Sequence, residues 1–156
     1  MTGKPQSLAY RRARFGTRLP ADRLYTRSHY WLLEAEPGLW RVGLTMFATR
    51  MLGEMVEYQF DLRSGDPIAL GQKIGWIEGF KAVSDVYSVA EGAFAGPNEA
   101  LNENILLLES DPYERGWLYA VTGRPEPDGV DVNGYVAILD ATIDKMLAAR
   151  HEEGDE

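Results

Sequence analysis

What most limits the fold of this chain is the brevity of its apolar runs. From Tyr25 to Val121 they are short and nearly all are closed by Gly, Pro or Asp, the rhythm of strands and turns rather than of helices. Tyr30-Trp31-Leu32-Leu33 reads as a strand, Glu36-Pro37-Gly38 as a turn, and Leu39 to Leu44 as the hairpin partner. Thr45 suits the N-cap of a short helix with Phe47/Met51 and Ala48/Leu52 as i,i+4 pairs, and Gly53 suits its stop. Further strands are predicted at Met55 to Phe60, Ile68 to Leu70, Ile74 to Phe80, Ala82 to Tyr87 and Gly116 to Val121. Asn98 can cap a brief helix through Leu101, while Ile105 to Leu108 is too short to classify by period. Pro125, Pro127, Gly129 and Gly134 mark a loop, after which Val136, Leu139, Ile143 and Met146/Leu147 fall at helical spacing. That stripe predicts an amphipathic C-terminal helix that packs on the sheet and ends near Arg150. The expected fold is mainly β with peripheral helices, a sandwich or barrel, with Trp31, Trp40, Trp76, Trp117 and the aliphatic strands as its core.

A chain of 156 residues is one domain's worth and needs no staple to fold. It has no Cys and two His, which excludes thiolate zinc sites, cysteine nucleophiles and disulfide frameworks. A net charge of −8 argues against nucleic acid as a partner. The charge is uneven: residues 1 to 27 carry seven of the sixteen basic groups against one acid, Asp22, so they are net +6 and the remainder −14. A basic arm of this kind folds back on the acidic body, stays solvated or docks a partner. Arg11-Arg12 is not followed by an apolar run, so twin-arginine export is not expected. Nowhere do 18 apolar residues run together, so no membrane span is predicted. The expected setting is cytoplasmic.

Catalytic parts are few. His29 lacks a nucleophile turn nearby and His151 sits in an acidic tail; there is no phosphate loop and no dinucleotide fingerprint. The one unusual stretch is Trp76-Ile77-Glu78-Gly79-Phe80-Lys81-Ala82-Val83-Ser84-Asp85-Val86-Tyr87-Ser88, where two strand-like runs meet at a junction that puts a single cation, Lys81, at a hairpin tip.

WIEGFKAVSDVYS resembles the modification hairpin of the glycine cleavage system H proteins, a family of lipoyl carriers with a Glu three residues before the modified lysine. The likeness extends back through YTRSHYWLL, VGLTMFATRMLGEMV and the Gly71 turn, and forward through PNEALNEN to SDPYERGWL. It implies a lipoyl-domain-like barrel-sandwich hybrid of two antiparallel sheets, spanning residues 25 to 122. Residues 1 to 24 would be a basic extension and 123 to 156 a loop, helix and acidic tail. It further implies lipoate in amide linkage on Lys81, with Glu78, Gly79, Phe80, Ala82 and Asp85 as recognition features for a lipoate-attaching ligase. No catalytic residue and no metal ligand is implied: the protein would be a carrier, not an enzyme. Related biotin carriers flank their lysine with Met; Phe80 and Ala82 flank this one, so biotin is not expected. The absence of Cys is consistent with a strained dithiolane that no internal thiolate could trap.

The sequence departs from the H-protein pattern in places. His-Glu-Trp is His29-Tyr30-Trp31 here, removing a carboxylate from the face where the arm can rest, and the pattern fades beyond Trp117. These departures resemble the lipoate-binding proteins that serve a heterodisulfide-reductase-like sulfur-oxidising complex, the preferred expectation. The alternatives are a glycine cleavage carrier, receiving an aminomethyl group and reoxidised by a flavin dihydrolipoyl dehydrogenase, and an unmodified interaction module.

Overall fold

The computed structural model describes residues 6–154, those after His151 by backbone alone; Lys4 and the acidic side chains of the predicted tail lie outside the described residues. The chain begins with a hairpin, β1 (Ser7–Arg12) and β2 (Phe15–Pro20), followed by β3 (Leu24–Tyr25), β4 (Tyr30–Glu36) and β5 (Leu39–Leu44). Helix α1 (Met46–Leu52) leads to β6 (Met55–Phe60), β7 (Pro67–Ile68), β8 (Lys73–Gly79), β9 (Val83–Tyr87) and β10 (Ala90–Pro97). Two single-turn helices, α2 (Ala100–Glu103) and α3 (Leu107–Ser110), precede β11 (Tyr119–Pro125) and the long α4 (Val132–Gly154). The strands form a six-stranded sheet in the order β3-β4-β5-β11-β10-β7, a three-stranded sheet β6-β8-β9 and the separate pair β1-β2. Every pairing is antiparallel. The mainly β fold with peripheral helices is as expected. The strands stay in separate sheets without a closed barrel, and a third sheet joins the two anticipated.

The period of two along β4 separates two cores. Tyr30 and Leu32 join the first with Val42, Ile74, Ile77, Val86, Phe94 and Val121, where the two larger sheets meet. Trp31 points the other way, into a second core with Tyr10, Leu19, Tyr25, Phe47, Tyr135, Leu139 and Ile143. The second core is made largely by the N-terminal hairpin and α4. The basic N-terminal stretch therefore folds back: Arg12 bridges Asp144 at 2.8 Å and Asp140 at 3.3 Å, and the Tyr10 hydroxyl donates to Asp140 at 2.8 Å. Arg23 is buried over the Trp31 ring at 4.8 Å and donates to the Tyr113 carbonyl at 2.6 Å.

Some elements differ from expectation for local reasons. The β1–β2 hairpin closes at Ala13-Arg14, with Ala13 at φ +53°, so the glycine or asparagine that usually marks such a turn is absent. β10 carries Gly92, Gly96 and Pro97 and a bulge between Phe94 and Gly96, and although no strand is predicted there from sequence it pairs with β11 on both sides of the bulge. The last β-strand starts at Tyr119 rather than Gly116 and runs to Pro125, and Ile105 to Leu108 resolves into a turn and α3. Of the four tryptophans, Trp31 is buried, Trp40 and Trp117 are half-buried against the two cores, and Trp76 lies half-exposed on the outer face of the small sheet. The stripe on α4 is buried only as far as Ile143; Met146 and Leu147 are exposed.

Candidate functional site

Lys81 sits in the connection between β8 and β9, which pair Glu78 with Val83, Ile77 with Ser84 and Trp76 with Asp85. The Gly79 N–H donates to the Ala82 carbonyl at 2.9 Å and closes the turn. Two further main-chain bonds tie this tip to the end of α1: Phe80 N–H donates to the Glu54 carbonyl at 3.0 Å and Lys81 N–H to the Leu52 carbonyl at 2.9 Å. Carbonyls at a helix end lack intrahelical partners, and here the lysine's own backbone satisfies one. The approach requires two glycines. A Cβ on Gly79 would lie 2.2 Å from the Leu52 carbonyl oxygen, and one on Gly53, at φ +81°, would lie 3.0 Å from the Lys81 nitrogen. α1 is itself fixed by Thr45, whose hydroxyl accepts from Ala48 N–H at 3.3 Å.

Beyond this clamped backbone the Lys81 side chain is exposed and, among the described residues, takes part in no ion pair. Lys73, on β8, pairs with Asp85 at 3.3 Å, and Lys145 lies on the exposed part of α4. Phe80 is 76% exposed beside Lys81. Pairing places Glu78, Val83, Trp76 and Asp85 on one face of the small sheet, so Glu78 and Asp85 are diagonal neighbours there. Glu78 and Asp85 thus share one face of the hairpin whose tip carries Phe80, Lys81 and Ala82, whereas Gly79 is buried. An open hollow of about 420 Å³ adjoins Lys81, with Met46, Thr49, Arg50, Glu54 and Glu109 in its walls.

Tyr30 does not line this hollow: its side chain is buried in the first core, where desolvation raises its phenol pKa. The hollow has two acids and an arginine in its walls. His29 is packed against Phe47 with its Nδ1 2.9 Å from the Tyr135 hydroxyl. Burial pushes its pKa down to about 4, and Tyr135 continues to Thr45 at 2.8 Å. These groups join α4 to the start of α1. His151 is exposed on α4. Sequence reasoning missed the clamp from Leu52 and Glu54; its visible trace was the pair Gly53 and Gly79, read separately as a helix stop and a recognition feature.

A β-scaffold that holds one lysine's backbone through main-chain bonds while presenting its side chain to solvent is the arrangement of a covalent carrier. The family model described as glycine cleavage H-protein matches residues 23–131, and the chain belongs to that family. The H protein of the glycine cleavage system from Listeria innocua is 39% identical over 110 residues, 70% of this chain and 86% of the relative. That of Shewanella oneidensis is 34% identical over 125 residues, 78% and 96%. The crystal structure of an H protein from Mycobacterium marinum superposes with a TM-score of 0.69 at 31% identity, covering 76% of this chain and 97% of that one. Proteins of the family carry lipoate covalently on a lysine and are carriers rather than catalysts. No helix among the described residues is long and apolar enough to cross a membrane.

Proposed function

We propose that this chain is a lipoyl carrier of the glycine cleavage type, with lipoate in amide linkage to Nζ of Lys81. One observation carries the reading: in a member of a lipoate-bearing family, Lys81 combines a backbone held from two carbonyls of another element with an exposed side chain. Its exposed amine fits an acyl group without any rearrangement of the scaffold. When bound, lipoate supplies a reducible disulfide on a flexible tether. The protein's own residues do the positioning. Gly53 and Gly79 let the tip close on α1, so the attachment point stays fixed while everything beyond it moves. Phe80 and Ala82, with Glu78 and Asp85 alongside, offer the attaching ligase an apolar tip flanked by carboxylates. The partners that follow are that ligase, the glycine cleavage enzymes and a flavin dihydrolipoyl dehydrogenase, in a cytoplasmic setting without nucleic acid or membrane.

The preferred expectation from sequence, service to a heterodisulfide-reductase-like sulfur-oxidising complex, stands second. The relatives reported above are all glycine cleavage H proteins. What favours the second reading is the hairpin and α4, which lie outside the family match.

Intact-mass analysis and peptide mapping after expression with lipoate and a competent ligase test the site. One adduct is expected on Lys81 and none in Lys81→Arg; an adduct on Lys73 or Lys145 overturns it. The loaded chain is then offered to a glycine decarboxylase in the glycine–bicarbonate exchange reaction. Efficient exchange supports the glycine reading. Failure by a chain shown to be loaded, with its reduced dithiol reacting with small sulfur compounds, moves the assignment to the sulfur pathway.

A further inference from the structure

The β1–β2 turn, α1 and the outer part of α4 enclose an apolar groove of about 220 Å³, separated from the hollow beside Lys81 by Arg50, which lines both. Its walls include Phe15, Phe47, Met51, Ile143, Met146 and Leu147. Met51, Met146 and Leu147 are 47%, 42% and 36% exposed, so three large apolar side chains converge on one opening at the surface. Arg12, Arg50 and Arg150 rim it on a chain of net charge −8. Arg12 is engaged by Asp140 and Asp144, while Arg50 is in no ion pair among the described residues.

The chemistry that complements this groove is carried by the chain itself. α4 continues eleven residues past Ile143, its last buried side chain among the described residues, about 16 Å of helix at 1.5 Å per residue. Helical turns without a packed face are marginal in water, and this stretch holds Met146 and Leu147. The sequence after His151, Glu-Glu-Gly-Asp-Glu, is the counter-charge to an arginine rim. Groove and complementary helix thus belong to one patch, the condition for an isologous contact that closes after two copies. We propose that this groove is the surface through which two copies of the chain pair, by antiparallel packing of their α4 helices. The pairing is expected to be weak, with a dissociation constant on the order of 10–100 μM.

Sedimentation equilibrium of the unmodified full-length chain, from about 5 to about 500 μM, tests this around the expected constant. No lipoylation is needed, so the result is independent of the Lys81 reading. The mean mass should rise from 17.5 kDa toward twice that value. Met146→Glu with Leu147→Glu, both on exposed positions and checked for folding by circular dichroism, should hold the mass at the monomer. Arg50→Glu should weaken pairing at least tenfold, and Val56→Glu, an exposed apolar site elsewhere, should leave it unchanged. A wild-type chain that remains monomeric throughout, even if an acid-flanked helix of another protein seats in the groove, overturns the proposal. So does association that survives the double substitution.

Discussion

His29 shows how one residue's surroundings set a property of the whole chain. It adopts φ +70°, a left-handed conformation rare outside glycine, and its imidazole is packed between Phe47 and Tyr135. Burial disfavours the charged ring and lowers its pKa from 6.5 to about 4. Between these values the unfolded chain binds a proton that the folded chain does not, so stability must fall as pH drops from above 6.5 toward 4 and level off below. The shift corresponds to at most about 3 kcal/mol. Urea unfolding midpoints measured across that range should show the decline. His29→Asn tolerates the same backbone conformation but cannot titrate there; it should start less stable and lose most of the slope. A slope unchanged in that variant would assign the acid sensitivity to other groups. Lys81 is the opposite case. Its side chain is exposed and outside both cores, so Lys81→Arg should abolish the adduct yet leave stability within about 0.5 kcal/mol.

At the scale of elements, the decisive contact is the closure of the β8–β9 tip onto the end of α1. Because the Leu52 carbonyl occupies the space a Gly79 side chain would need, Gly79→Ala must push the hairpin away and lose the bond to Lys81 N–H. Overpacking of this kind costs about 1–3 kcal/mol. Lower melting temperature and slower ligase-dependent loading of Lys81 are expected together, whereas Phe80→Ala, at an exposed position, should slow loading without destabilising. If Gly79→Ala loads at the normal rate, the clamp has no role in presenting the lysine. Much of this element was legible in sequence. The alternation from Trp76 to Tyr87, the capping by Thr45 and the stop at Gly53 are local signals, and local physics decides them. The clamp was not, because it joins residues nearly thirty positions apart through backbone atoms, which carry no residue code. The β1–β2 hairpin was hidden for another reason: its turn uses Ala13 at positive φ, so the chemistry that usually announces a hairpin is missing.

Across the whole molecule, the first core lies wholly within the family match, whereas the second joins residues of the match to both ends of the chain. Residues 23–131 hold both larger sheets and the candidate lysine, while the N-terminal hairpin and α4, from opposite ends of the chain, meet over Trp31 and Phe47 in the second core. Sequence could indicate that the ends depart from the family pattern but not that they find each other. That depends on pairs such as Arg12–Asp144 and Tyr10–Asp140, more than 120 positions apart. A chain lacking residues 1–21 tests the division. It loses Tyr10 and Leu19, both buried, at about 1.5–3 kcal/mol each, so a drop of about 3–6 kcal/mol is expected. Hydrogen exchange should localise the loss: faster exchange throughout α4, little change in β8, β9 and β11. Since Lys81 is fixed by α1 through main-chain bonds that the hairpin does not make, the shortened chain should still accept lipoate. Uniformly faster exchange in both larger sheets, with loading abolished, would show that the terminal segments and the carrier scaffold fold as one inseparable unit.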